Sequence, residues 1–133
     1  MEIYEPQEDS YLLERQVILH ACGKVCDMGT GSGILAIAAA RTAHNVTAVD
    51  KNPAAILHLE KEIKQQRLTT IIPIVSDLFS RIPGRLRFDT IICNPPYLPD
   101  DLRVPDIALD GGKQGHEFIL RFLTAAKQRL TPS

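Results

Sequence analysis

The seven residues Asp27-Met28-Gly29-Thr30-Gly31-Ser32-Gly33 constrain this 133-residue chain more tightly than any other part of it. Three glycines and an acid in so short a span disfavour both helix and strand, so a turn has to form there. Glycine lets the backbone turn tightly and lets a ligand come close with no Cβ in the way. Just before the turn, Lys24 to Asp27 reads as a short strand. Just after it, Ser32 to Thr42 reads as a helix of small residues (Ile34, Leu35, Ala36 to Ala40) able to lie close to a sheet. Such a helix presents free amides at its N-terminus, and several nucleotide-binding folds use a turn of this kind.

The rest of the chain repeats the alternation. Glu8 to Cys22 carries Tyr11, Leu12, Leu13, Val17, Ile18 and Ala21 at helical spacing, with Gly23 as the stop. Asn45 to Val49 is a β-branched strand ended by Asp50, and Pro53 opens a helix that runs from Ala54 to about Arg67 with Ile56, Leu59 and Ile63 facing inward. Ile71 to Val75 and Phe88 to Cys93 read as the third and fourth strands. Gly115 to Leu130 reads as a last helix with Phe118, Ile119, Phe122, Leu123 and Ala126 on one face. Strands that are mostly continuous apolar runs, alternating with helices, predict a parallel sheet covered on both sides, an α/β Rossmann-like arrangement. Ligands of such sheets bind beyond the carboxyl ends of the strands.

Each strand end carries a candidate group. The first turn is G-x-G-x-G preceded by an acid, not the dinucleotide spacing G-x-G-x-x-G. Asp27 would repel a pyrophosphate but suits a ligand with an ammonium group. S-adenosylmethionine has one, together with a sulfonium and no phosphate. Asp50, 21 residues after Gly29, can accept from both ribose hydroxyls, a solution dehydrogenases share. Strand three ends in Ser76-Asp77-Leu78-Phe79, where Asp77 can accept from an adenine amino group with the apolar pair flanking the ring. A helix cap or plain turn explains Asp77 equally well. Strand four ends in Asn94-Pro95-Pro96-Tyr97. Two prolines stiffen that turn, so that the Asn94 side chain and the Pro95 carbonyl converge as acceptors on one NH₂ group while Tyr97 offers a flat face.

Charge and composition exclude other classes. Net charge is −1, so the chain as a whole does not advertise a nucleic-acid partner. Arg81, Arg85 and Arg87 around Pro83-Gly84 are the local exception and read as a solvated loop. No apolar run reaches the roughly 20 residues that cross a bilayer, and Glu2, Glu5, Glu8 and Asp9 give an acidic start unlike a signal peptide, so a cytoplasmic protein is expected. Cys22, Cys26 and Cys93 include no Cys-x-x-Cys pair and read as reduced thiols. His20, His44, His58 and His116 are scattered, so no metal site is expected.

With these motifs in hand, the sequence resembles the HemK/PrmC-like protein-glutamine methyltransferases, within the Asn-Pro-Pro-Tyr amino methyltransferases. Tyr4-Glu5-Pro6-Gln7-Glu8-Asp9-Ser10 is similar to a signature of the archaeal and eukaryotic branch, which lacks the bacterial N-terminal helical domain. Gly111-Gly112-Lys113-Gln114-Gly115 is similar to the family's Gly-Gly-x-x-Gly before a helix. The resemblance implies a three-layer αβα class I S-adenosylmethionine-dependent fold. It also implies methylation of the glutamine amide in the Gly-Gly-Gln tip of class 1 translation release factors and, in many members, a small zinc-ribbon activator subunit. By match to the motifs, it places Ser10, Asp27, Gly29, Thr30, Gly31, Gly33, Asp50, Asp77, Leu78 and Asn94 on the cofactor. Asn94, Pro95, Pro96 and Tyr97 it places on the substrate.

The family has a seven-stranded sheet, whereas this chain stops at Leu130-Thr131-Pro132-Ser133. Residues 1–133 are therefore expected to be a C-terminally incomplete methyltransferase domain with strands in the order 3-2-1-4. That order leaves Phe88 to Cys93 at an open edge, with no lysine or proline to guard it, for a further strand or another chain to cover. Three rival readings remain: an adenine or guanine amino methyltransferase using the same tetrapeptide, a nicotinamide oxidoreductase, and a non-catalytic binding module. The near-neutral charge counts against the first, and the glycine spacing against the second.

Overall fold

The computed structural model describes the backbone of residues 8–93 and 113–132, and side chains over 12–93 and 117–132. Helix α1 (Glu8–His20) leads into β1 (Lys24–Met28), α2 (Ile34–Ala39), β2 (Asn45–Asp50), α3 (Pro53–Gln66), β3 (Ile71–Val75), β4 (Thr90–Cys93) and α4 (Lys113–Lys127). The four strands are parallel, as the alternation predicts, and lie in the order β3-β2-β1-β4 expected from the family resemblance. The central β1 is buried from Val25 onwards because it has a strand on each edge and a layer on each face.

Alternation along the strands divides the core in two. Val25, Val46, Ala48, Ile71 and Ile92 face a layer that contains Val17 and Ala21 of α1, Leu35 to Ala39 of α2 and Leu59 of α3. Cys26, Met28 and Val49 face the other way, onto Phe79, Ile82, Phe88 and Ala126 of α4. Ile91 and Ile92 accordingly belong to opposite cores. In α3, the Asn52 side chain accepts from the Ala54 amide at 3.0 Å while Pro53 takes the first turn, where its missing N–H is harmless. The inward positions Ile56 and Leu59 are buried. Two apolar residues of the other helices are not: Leu12 of α1 and Leu123 of α4 are more than half exposed.

Element ends differ from the sequence reading in one informative place. Phe88 is not part of β4; it forms a separate parallel bridge with Leu130, which the periodicity had put inside the last helix. The Phe88 amide donates to the Arg129 carbonyl at 2.7 Å, and the Thr131 amide donates to the Phe88 carbonyl at 2.8 Å. The chain leaves α4 and pairs at once beside the start of β4, so that edge is covered at its foot. Asp89 locks the same corner. Its carboxylate accepts from the Lys24 amide at 2.8 Å and the Thr131 hydroxyl at 3.0 Å, and its own amide donates to Lys24 at 2.8 Å. No helix among the described residues is long and apolar enough to cross a membrane.

Candidate functional site

The turn after β1 is held from within. Gly29 and Thr30 both donate their amides to the Val49 carbonyl at 2.8 Å, Gly33 donates to Thr30 at 2.8 Å, and Gly31 donates to Asp50 Oδ2 at 2.9 Å. With these four amides engaged, the turn is not the cradle of free N–H groups that a phosphate needs. Two glycines are needed on different grounds. Gly31 has φ 53°, a backbone that L side chains rarely adopt. Gly33 has φ 87°, and a Cβ there would sit 2.8 Å from Cδ1 of Leu59. Its role in the structure is to let α2 start close to α3.

Beneath the turn lies Asp27, fully buried. Its Oδ2 accepts from the Thr30 hydroxyl at 2.8 Å, while Oδ1 has no hydrogen-bond partner among the described residues. Desolvation pushes this carboxyl up to about 7, against the favourable Thr30 bond; the charge of Asp50 adds to the rise, and the nearby Ala36 amide eases it without satisfying Oδ1. A buried acceptor left unmet is costly, and a site that tolerates it is ready for a cationic group. The Ser32 hydroxyl, buried at its oxygen, also has no partner among the described residues; the sequence reading did not single it out.

Asp50, at the end of β2, is already oriented. Oδ2 holds the Gly31 amide and Oδ1 the Asn52 amide, both at 2.9 Å. A carboxylate has roughly four acceptor positions, so each oxygen keeps capacity for a hydroxyl.

The turn after β3 is more elaborate than its sequence suggests. Leu78 has φ 51°, unusual for a residue with a side chain. The Ser76 hydroxyl donates to the Leu78 carbonyl at 2.8 Å and accepts from the Arg81 amide at 3.0 Å, holding that conformation. Asp77 is exposed and lies 3.5 Å from Arg121 of α4. A cavity of about 510 Å³ lined by Leu78, Leu120, Arg121, Thr124, Ala125 and Gln128 opens between this turn and α4. Phe79 is a correction to the sequence reading. It does not flank a ligand beside Leu78 but is buried in the core, with the Arg129 guanidinium 5.2 Å from its ring centre.

Asn94, Pro95, Pro96 and Tyr97 lie outside the described residues, as does the side chain of Ser10 on α1. Cys93, the last residue of β4, brings the chain to the same end of the sheet as Asp27 and Asp50. Burial pushes the thiols of Cys26 and Cys93 well up from their ordinary range, as expected of inert packing groups. Arg81, Arg85 and Arg87 are exposed, and Arg87 donates to the Gly84 carbonyl at 2.7 Å. No group of three His, Cys, Asp or Glu side chains among the described residues could hold a metal ion.

Comparison with known proteins gives the family and the fold. The family model of the methyltransferase small domain matches residues 8–133. A relative from Methanocaldococcus jannaschii, provisionally named a protein N5-glutamine methyltransferase, is 39% identical over 128 residues, which cover 92% of this chain and 64% of the relative. The release factor glutamine methyltransferase of Geobacter sulfurreducens is 30% identical over 141 residues, covering 96% of this chain and 49% of that one. Among solved structures, a T. thermophilus 16S rRNA methyltransferase in complex with AdoMet and guanosine has a TM-score of 0.63 at 28% identity, over 82% of this chain and 26% of that one. The chain thus spans less than two thirds of the length of these relatives. The fold is the Rossmann-like fold of the class I methyltransferases. The chain belongs to the methyltransferase small domain family.

Proposed function

We propose that this chain is the cofactor-binding part of a cytoplasmic S-adenosylmethionine-dependent methyltransferase that modifies the glutamine amide in the Gly-Gly-Gln tip of a class 1 release factor. One observation carries the cofactor. The turn after β1 offers a ligand two acids, Asp27 and Asp50, and no free amide at Gly29, Thr30, Gly31 or Gly33. That arrangement suits a ligand with an ammonium, a ribose and no phosphate. The names of the two relatives support an amide nitrogen of glutamine as the acceptor.

The residues divide the work by strand. Asp27 faces the ammonium end, Asp50 takes the ribose hydroxyls, and Asp77 with Leu78 meets the base; the family resemblance adds Ser10. When bound, the cofactor supplies a methyl group activated on a sulfonium. Asn94 and the Pro95 carbonyl accept the two N–H groups of the substrate amide, orient it and favour a more pyramidal nitrogen. Pro96 stiffens the turn, and Tyr97 covers the planar group. Positioning is the main contribution, for which effective molarities of roughly 10⁵ M and above are documented. The nitrogen's proton leaves after transfer, so no general base has to act first. A small zinc-ribbon subunit is the partner to supply in reconstitution.

A second reading, transfer to a nucleobase amino group, is favoured by the guanosine in the T. thermophilus structure. Transfer of labelled methyl to a release factor, to its Gln→Ala variant at the Gly-Gly-Gln tip and to ribosomal RNA separates the two. The proposal expects label in the first alone. Label in RNA, or equal label in the Gln→Ala variant, sinks it.

A further inference from the structure

Arg85 and Arg87 read as part of a solvated loop in the sequence, but the structure gives that loop a fixed shape and a further arginine. The Leu86 amide donates to the Pro83 carbonyl at 3.0 Å, closing a tight turn with Gly84 and Arg85 at its tip. Arg129, just past α4, donates to the same Pro83 carbonyl at 2.8 Å and to the Ile82 carbonyl at 3.4 Å. Arg87 donates to the Gly84 carbonyl at 2.7 Å and to the Leu86 carbonyl at 3.2 Å. Two guanidinium groups are thus moored to consecutive carbonyls of one turn, with a third arginine at its tip.

No carboxylate pairs with Arg85, Arg87 or Arg129 among the described residues. Residues 78–88 contain no acid, and neither do residues 118–133, whereas Lys127 adds a cation in the last turn of α4. A whole-chain charge of −1 does not show this concentration. Like charges held close together repel, so an anion among them is favoured. Each guanidinium has five N–H groups, and those not spent on carbonyls remain for it.

The shape of the turn selects the anion. The space over its tip is open, since a Cβ on Gly84 would meet nothing within 4 Å. Such a projecting turn does not enclose a small free anion, as a concave site would. A protein partner needs an apolar centre to its contact, but Ile82 and Phe88, which flank the turn, are buried in the core. A chain of phosphates needs only charge and N–H donors.

We propose that the Pro83–Leu86 turn, with Arg85, Arg87 and Arg129, binds the phosphate backbone of a nucleic acid without regard to its sequence. The turn leads through Phe88 to the start of β4, whereas Asp27 and Asp50 lie toward the other ends of their parallel strands. A nucleic acid held here is a tether rather than the methyl acceptor. The inference does not rest on the release-factor reading.

The test is fluorescence anisotropy of a labelled RNA of about 20 nucleotides, and of the same sequence as DNA, titrated with this chain at about 50 and 200 mM KCl. About three phosphate contacts should weaken single-strand binding roughly 20-fold between the two salts. Arg85→Ala should weaken it about five- to tenfold at the lower salt and reduce the salt slope by about one, whatever the sequence. Arg85→Glu should weaken it further. Arg85 is exposed in a turn and has no partner among the described residues, so both variants should fold. Lys61→Glu, at an exposed position of α3 on the other face of the sheet, makes the same change in net charge and should leave binding within about twofold. Binding of either nucleic acid with this pattern supports the inference, and the tighter of the two names the source of the phosphates. No binding of either, equal losses in Arg85→Glu and Lys61→Glu, or displacement of the RNA by S-adenosylhomocysteine overturns it. Equal binding of a polyglutamate peptide or of phosphatidylserine vesicles also overturns it, by making the partner an acidic protein or a membrane. Methyl transfer to a release factor stands or falls separately from all of these results.

Discussion

The amide of Gly31 donates to Oδ2 of Asp50 at 2.9 Å, joining the turn after β1 to the end of β2 across 19 residues of sequence. Asp50 therefore does two things at once: it fixes the turn and presents acceptors to the ligand. Replacing it by alanine should weaken S-adenosylmethionine and S-adenosylhomocysteine alike by about 1.5–3 kcal/mol, roughly 10- to 150-fold. Asparagine should not rescue, because its NH₂ group would face either the Gly31 or the Asn52 amide, donor against donor. Calorimetry showing unchanged affinity for both ligands would contradict the assignment.

Asp27 gives a pH dependence with a defined sign. Its carboxyl is raised by desolvation from 3.8 to about 7 in the folded chain. Between about pH 4 and 7 the unfolded chain has released this proton and the folded chain has kept it. The contribution to stability thus falls as pH rises through that window, by at most ~1.4 kcal/mol per unit, and levels off above 7. Asp27→Asn removes the slope and should make the ligand-free protein about 1–3 kcal/mol more stable than wild type at pH 8, with little difference at pH 4. Urea titrations at the two pH values measure it; a difference that does not change with pH refutes the burial argument. A ligand ammonium favours the ionised carboxyl, so cofactor affinity should drop about tenfold per pH unit below 7 in the wild type only.

For Asn94 the expected effect is on turnover. Asn94→Ala removes a hydrogen bond and the alignment of the substrate amide, which should reduce methyl transfer by about 2–4 kcal/mol in activation free energy. Cofactor affinity should stay within about tenfold of wild type, since the main cofactor contacts are assigned elsewhere. A variant that keeps most of the wild-type turnover takes the tetrapeptide out of the mechanism.

The foot of the sheet is a separate target. A Cβ on Gly23, which has φ 65°, would collide with the Asp89 carboxylate that holds the Lys24 amide and the Thr131 hydroxyl. Gly23→Ala should lower stability by about 1–2 kcal/mol from the left-handed backbone alone. Hydrogen exchange locates the damage: the amides of Phe88 and Thr131, protected in the wild type by the Arg129 and Phe88 carbonyls, should exchange faster in the variant. Protection there equal to wild type would separate Asp89 from this corner.

The strands were legible because buried parallel strands are written as short apolar runs, as in Val46 to Val49 or Ile71 to Val75, while their order came only with the family resemblance. The place of Asp50 at the end of β2 was legible because the β-branched run before it stops there. Phe88 was misplaced because an apolar residue two before Thr90 extends the run on paper, while the Asp89 carboxylate turns it to pair with Leu130 instead. Phe79 was misplaced because hydrophobicity does not say which of two adjacent apolar residues faces the core; the left-handed backbone at Leu78 decides that. Arg121 was illegible altogether. Its partner Asp77 is far away in sequence, and an arginine on a helix surface looks like any other solvated charge.

The place of β1 at the centre of the sheet has a consequence for biosynthesis. Lys24 and Asp89, which join β1 to the foot of β4, are 65 residues apart. At about 5–20 residues per second, the ribosome takes roughly 3–13 s to make the second after the first. During that interval β2 and β3 can already pair on one side of β1, while its other edge stays unsatisfied and apolar. The nascent N-terminal half is thus a half-built sheet whose exposed edge is the strand that later lies deepest. That edge stays open to other apolar segments until Thr90 arrives, and slow codons between residues 76 and 90 should increase aggregation of the newly made protein.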